Sequence, residues 1–140
     1  MAAKRYVSTL CSTALALVLF AAPAIAGWDP ARHTDESTLE FLTVSPEDGE
    51  HWSTVWLVVI DDQLYIRLGG RAAARMNENT RAPIVSVRIA KEEFAEVEAI
   101  AVPEMAEAVA AAMAAEYSTD IFVRYLEHPL AMKLRPKQAP

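Results

Sequence analysis

From residue 39 onward, apolar and polar positions alternate mostly with the period of strands. Leu39 to Val44 predicts a short strand, and Ser45-Pro46-Glu47-Asp48-Gly49-Glu50 a turn, punctuated by Pro and Gly and solvated by its acids. Trp52 to Ile60, rich in Trp, Val, Thr and Ile, predicts a second strand. Asp61-Asp62-Gln63 is a tight turn and Leu64 to Leu68 the returning strand of a hairpin. Gly69-Gly70 ends that strand, and the helix formers of Arg71 to Asn79 predict a small helix that Ala82-Pro83 breaks. Ile84 to Ile89 is β-branched, Lys91-Glu92-Glu93 is a polar turn, and Phe94 to Val102 pairs back. The period then lengthens. Glu104 to Tyr117 predicts a helix, with Pro103 in its first turn and Met105, Val109, Ala112, Met113 and Tyr117 on one face. Asp120 to Glu127 predicts a second short helix, capped by Asp120 or Thr119. Leu130 to Leu134 reads as a closing strand, Trp28 to Ser37 as a loose lead-in, and 137–140 as a tail.

Six short strands joined by short turns imply an antiparallel sheet, and closure into a barrel removes its exposed edges. The expected fold is mainly β (α+β): a small six-stranded barrel, one helix between strands and one or two helices near the C-terminus.

The first 26 residues read differently. Lys4 and Arg5 precede an uncharged apolar run, Leu10 to Ala22, and Ala24-Ile25-Ala26 has the form of a cleavage site. The run falls short of the roughly 20 residues a spanning helix needs. The expectation is a cleaved signal (1–26), a lead-in (27–38), one barrel domain (39–136) and a tail (137–140) in a periplasmic or secreted protein. An uncleaved anchor is the alternative. Cys11 lies inside the signal after Leu10, a poor lipoprotein site, so the 114 residues from Gly27 contain no cysteine. Thiol nucleophiles, thiolate metal sites and disulfides are thereby excluded from the mature chain.

Charge sharpens the picture. Between Gln63 and Ala90 lie Arg67, Arg71, Arg75, Arg81 and Arg88 against one acid, Glu78; the rest from Gly27 has six bases against eighteen acids. Such an acidic chain is a poor fit to nucleic acid or to an anionic membrane. The arginines either pair with glutamates of the same fold or face an anionic ligand, which Arg forks bind bidentately. On the third strand Leu64, Ile66 and Leu68 take the core face, leaving Tyr65 and Arg67 to solvent or to a groove. Arg71 and Arg75, four apart on the small helix, repel unless an anion sits between them, either a phosphate or a glutamate of the protein. Gly70 at that helix start lets a backbone approach a ligand, or simply ends the strand. Arg88 is expected to pair with Glu96 and Glu98 across strands, and Arg81 to be solvated. Trp52, Thr54 and Trp56 share one strand face, as a flat-ring pocket or as packing. His33, His51 and His128 have no metal-ligand spacing, and no catalytic Ser-His-Asp set or carboxylate pair is visible.

The run from Thr54 through Leu64-Tyr-Ile-Arg67, then Gly-Gly-Arg-Ala-Ala-Ala-Arg-Met-Asn-Glu-Asn79, resembles the flavin-binding split-barrel superfamily that includes pyridoxamine phosphate oxidase. Within it the chain is most similar to the family called domain of unknown function 2255, through its Trp-rich strand, its Leu-Tyr-x-Arg strand and its ending at Met132-Lys-Leu-Arg-Pro136. The resemblance spans about residues 39 to 136 and implies a split barrel that dimerises, with FMN, or less readily deazaflavin or haem, as cofactor. It places Arg67, Gly70 and Arg71 at the phosphate, Arg75 one turn on, and Tyr65, Thr54 and Trp56 at the ring. Gly70 stands where the family has Ser, and Ala72 where it has Lys. Two readings follow: an exported oxidoreductase using a phosphate-bearing ring ligand, or a non-catalytic binding module that has lost its cofactor.

Overall fold

Two aspartates set the first feature of the fold. In the computed structural model, which describes residues 27–117, 130–138 and 140, Asp61 and Asp62 both take left-handed backbone angles, φ 48 and 57. That is the type I′ requirement of a two-residue hairpin, and Asp tolerates it through its short polar side chain. The turn joins β2 (Gly49–Ile60) to β3 (Gln63–Leu68), with Ile60 opposite Gln63. A second tight hairpin joins β4 (Ile84–Ile89) to β5 (Glu92–Ala101), and there Ala90 has φ 53. An L-residue with a Cβ is strained at that angle, so Ala90→Gly is expected to raise stability by about 0.5–1 kcal/mol, read by chemical denaturation.

With β1 (Thr38–Ser45) and β6 (Leu130–Pro136), the strands close a six-stranded antiparallel barrel in the order β1-β2-β3-β6-β5-β4. β1 returns onto β4 through Glu40↔Arg88, Phe41↔Val87 and Leu42↔Ser86. Alternation sends Phe41, Leu57, Leu64, Ile66, Leu68, Val85, Val87 and Leu134 inward, where they are fully buried. Closure removes most of the free edge that an open six-stranded sheet would expose.

The helices cover what closure leaves open. α1 (Gly70–Asn77) buries Met76 and packs Ala72 and Ala73 against the core. A 3-10 turn at Pro103–Met105 leads into α2 (Ala106–Glu116), which lies on the outside of the barrel. Val109 and Met113 are fully buried there, with Val58, Tyr65, Val102 and Ala131, and Met105, Ala112 and Tyr117 flank them as the helical spacing predicts. The lead-in is packed rather than loose. Pro30–His33 forms a 3-10 turn, the Trp28 ring meets Phe94 edge-on at 5.1 Å, and His33 is buried with Nε2 3.8 Å from Glu92. Aromatic contact with the core holds a segment whose polar composition hides it.

One polar side chain stitches the chain together after α1. Asn79, 6% exposed, accepts at Oδ1 from the N–H of Val44 (3.1 Å) and of Arg81 (3.2 Å), and its Nδ2 donates to the Ile84 carbonyl (3.0 Å). Thr80 N–H adds a bond to the Val44 carbonyl at 2.8 Å. Together they satisfy the end of β1 beyond its short ladder with β4. The expected helix over 120–127, and His128, lie outside the described residues.

Candidate functional site

β2 has 12 residues and β3 only six. Their ladder runs from Ile60↔Gln63 to Leu57↔Ile66 and stops. Continued, the register would set Trp56 against Arg67 and Thr54 against Gly69, but β3 ends at Leu68 and the chain turns into α1. The two strands therefore part, and a wedge opens between them. Leu57 N–H donates to the Ser37 carbonyl at 3.1 Å, so odd-numbered residues of β2 turn their peptide groups toward β1. Those of Glu50, Trp52 and Thr54 turn the other way, where no strand pairs with them among the described residues. The wedge thus offers backbone donors and acceptors along one side.

Arg67 stands at its apex. The side chain is half-buried, its backbone faces Ala131 of β6, and its Nη1 is buried without a hydrogen-bond partner among the described residues. A buried donor left unpaired costs about 1–3 kcal/mol, and more when charged. Trp56 is half-buried beside it, and Thr54 is exposed on the same face of β2. Gly70 opens α1, and a Cβ there would meet nothing within 4 Å, so the position has room and no steric need for glycine. By strand register, Thr54, Trp56 and Arg67 lie where β2 and β3 part, with Gly70 two residues past the end of β3.

The other residues singled out lie elsewhere. Tyr65 is on the outer face of β3, as alternation requires, but α2 covers it and leaves it 7% exposed in the second apolar cluster. Arg75 Nη1 sits 3.3 Å from Asp48 Oδ2. With Arg71, Ala74, Glu78 and Asp48 it lines a shallow groove of about 230 Å³ between α1 and the β1–β2 turn. Two arginines and two carboxylates make that groove nearly neutral. Arg88 pairs with Glu93 at 2.9 Å and lies over the Trp52 ring at 3.7 Å, instead of meeting Glu96 and Glu98. The register, shifted by an irregularity between Val85 and Val87, sets Arg88 opposite Glu93. Glu98 goes to Arg135 at 2.8 Å, and Glu96 to Lys137 at 3.0 Å and to the exposed Arg81 at 3.8 Å. Among the described residues no three His, Cys, Asp or Glu side chains gather as a metal site.

Sequence reasoning placed Tyr117 only on the apolar face of a helix. Its ring packs on Trp56 with centroids 4.8 Å apart and planes 58° apart, and its hydroxyl bonds the Leu57 carbonyl at 2.8 Å. Burial first, then the neighbouring Glu116 carboxylate, pushes the phenol up to about 12. Only its spacing from Val109 and Met113 hinted at contact with the barrel.

No family model matches the chain, and neither does any curated protein. Among solved structures it is similar to HutZ, the heme storage protein of Vibrio cholerae, with a TM-score of 0.57 and 20% identity over 75% of this chain and 84% of that one. It is also similar to a conserved hypothetical protein of Mycobacterium tuberculosis, Rv2991, with a TM-score of 0.58 and 15% identity over 77% of this chain and 78% of that one. The fold is a split barrel. At such identities the likeness carries the architecture, and the function must be argued from the site.

Ala72, where the resemblance expects a lysine, packs against the barrel core. A lysine contact from that position is therefore replaced by nothing, and Gly70 offers no hydroxyl. Arg67 is the remaining basic side chain there, with its buried Nη1 unpaired among the described residues.

Proposed function

We propose that the protein is an exported split-barrel protein that binds a flat ring ligand bearing a phosphate or other anionic group, FMN foremost, in the wedge between β2 and β3. The observation that carries this reading is the buried Nη1 of Arg67 where β2 and β3 part, which has no hydrogen-bond partner among the described residues. Arg67 holds the anion, the N-terminal end of α1 at Gly70 and Arg71 adds positive potential, and Trp56 and Thr54 border the ring. The unpaired peptide groups of β2 supply hydrogen bonds to ring heteroatoms. A bound flavin would supply redox chemistry, and the oxidoreductase reading rests on that alone.

The resemblance to pyridoxamine phosphate oxidase-like proteins, and more narrowly to domain of unknown function 2255, supports FMN and a homodimer. The likeness to a heme storage protein keeps haem beside it, and deazaflavin shares the same ring and anion logic. Export rests on the pattern of residues 1–26. The near-neutral groove at Arg71 and Arg75 favours the second reading, a binding module that has lost its cofactor.

Calorimetric titration of the mature protein with FMN and with riboflavin separates these readings. A charge-assisted contact from Arg67 makes FMN bind about tenfold tighter or more. Equal affinity for the two ligands removes the anion assignment. Binding of neither, nor of haem, leaves the module reading.

A further inference from the structure

We propose that Tyr117 is a positioning residue that fixes Trp56 where β2 and β3 part, so that the ring site has one rigid wall. The inference rests on the wedge reading above. Tyr117 is the first residue past α2, and its own N–H donates to the Met113 carbonyl at 2.8 Å, which ties its backbone to the last helical turn. From there the side chain reaches two points at once. The ring tilts onto Trp56, and the hydroxyl bonds the Leu57 carbonyl at 2.8 Å and approaches the Ser37 carbonyl at 3.3 Å. With a single proton to give, the shorter bond dominates and the longer one shares it.

Leu57 is the last residue of β2 in the ladder with β3, and Trp56 is the first beyond it. One side chain therefore clamps both residues at the mouth of the wedge. Both rings also flank the apolar cluster of Val58, Tyr65, Val109 and Met113, which anchors α2 to the barrel. The hydroxyl stays protonated through the ordinary pH range because burial holds its pKa near 12, so the clamp does not titrate with the solvent. A half-exposed tryptophan on a strand segment paired on one side alone otherwise has freer χ1 and χ2 rotors. Stacking on a helix-borne ring removes that freedom before any ligand arrives, which is preorganisation.

The test uses Trp28→Phe and Trp52→Phe together as parent, leaving Trp56 as the single tryptophan among the three of the chain. Acrylamide quenching of Trp56 is measured without ligand, and FMN affinity by calorimetry, with far-UV circular dichroism as the folding control. Tyr117→Leu is expected to raise the quenching constant about twofold and to weaken FMN about tenfold, whereas Tyr117→Phe, which keeps the ring and loses only the bond to the Leu57 carbonyl, falls between the parent and Tyr117→Leu in both. Unchanged quenching in Tyr117→Leu overturns the clamp whether or not FMN binds. Raised quenching with undiminished FMN affinity overturns the link between the clamp and the ring site. A parent that binds no FMN sinks the wedge reading and the positioning role with it, while the quenching arm still reports whether Tyr117 holds Trp56.

Discussion

Arg67→Ala is expected to weaken FMN binding by about 10- to 100-fold, the range of a lost hydrogen bond between charged groups. The same substitution leaves the stability of the ligand-free protein unchanged or slightly raised. It removes a buried donor that has no partner among the described residues, rather than a bond. That opposition of signs separates a ligand-facing arginine from a structural one, which would lose stability on truncation. Arg67→Lys keeps the charge without the planar fork and should fall between wild type and alanine in affinity. Arg75→Ala serves as the control. Its ion pair with Asp48 is at the surface, 31% and 60% exposed on the two sides, so its loss costs about 0–1 kcal/mol and leaves FMN affinity within error. Calorimetric titration and denaturant melts on the same preparations read both effects.

Asn79→Ala carries the larger effect on stability, about 3 kcal/mol. Three part-buried backbone groups lose their partner at once: the N–H groups of Val44 and Arg81 and the carbonyl of Ile84. Water reaches some of them, which keeps the loss below the full sum of three desolvated groups. Asn79→Asp tests the account from the other side. It keeps an acceptor for both N–H groups but loses the donor and sets a carboxylate against the Ile84 carbonyl. It is expected to be intermediate at neutral pH. Urea denaturation at constant m-value reads these differences; an Asn79→Ala variant within 0.5 kcal/mol of wild type, the range usual for surface changes, would remove the stitching role.

Much of the barrel was legible because strands declare themselves locally. The period-2 runs of β2, β3 and β4, the Asp61-Asp62 turn and the helical stripe of Val109 and Met113 each depend on near neighbours in sequence, and each stands in the structure. Closure followed from the edge argument alone. What stayed hidden depends on distant contacts. Nothing local says that α2 lands on the outer face of β3 and covers Tyr65, or that Trp28 and His33 pack on Phe94. The partner of Arg88 turned on a register irregularity near Val85, which no composition rule reveals. At the site, Thr54, Trp56, Arg67 and Gly70 could be named from strand phase and family pattern. Where they lie relative to the parting of the strands required knowing that β3 stops at Leu68 while β2 runs on, and Tyr117 entered only with the packing of α2.

The most direct test is the visible absorption spectrum of the mature protein purified from cells that produce it naturally, followed by a thermal melt with added FMN, deazaflavin or haem. A ring ligand held in the wedge predicts a flavin, deazaflavin or haem band that Arg67→Ala diminishes, or, if the ligand is lost in purification, a rise in melting temperature on adding one of the three. A colourless protein whose melting temperature none of them moves would contradict the ligand-binding account.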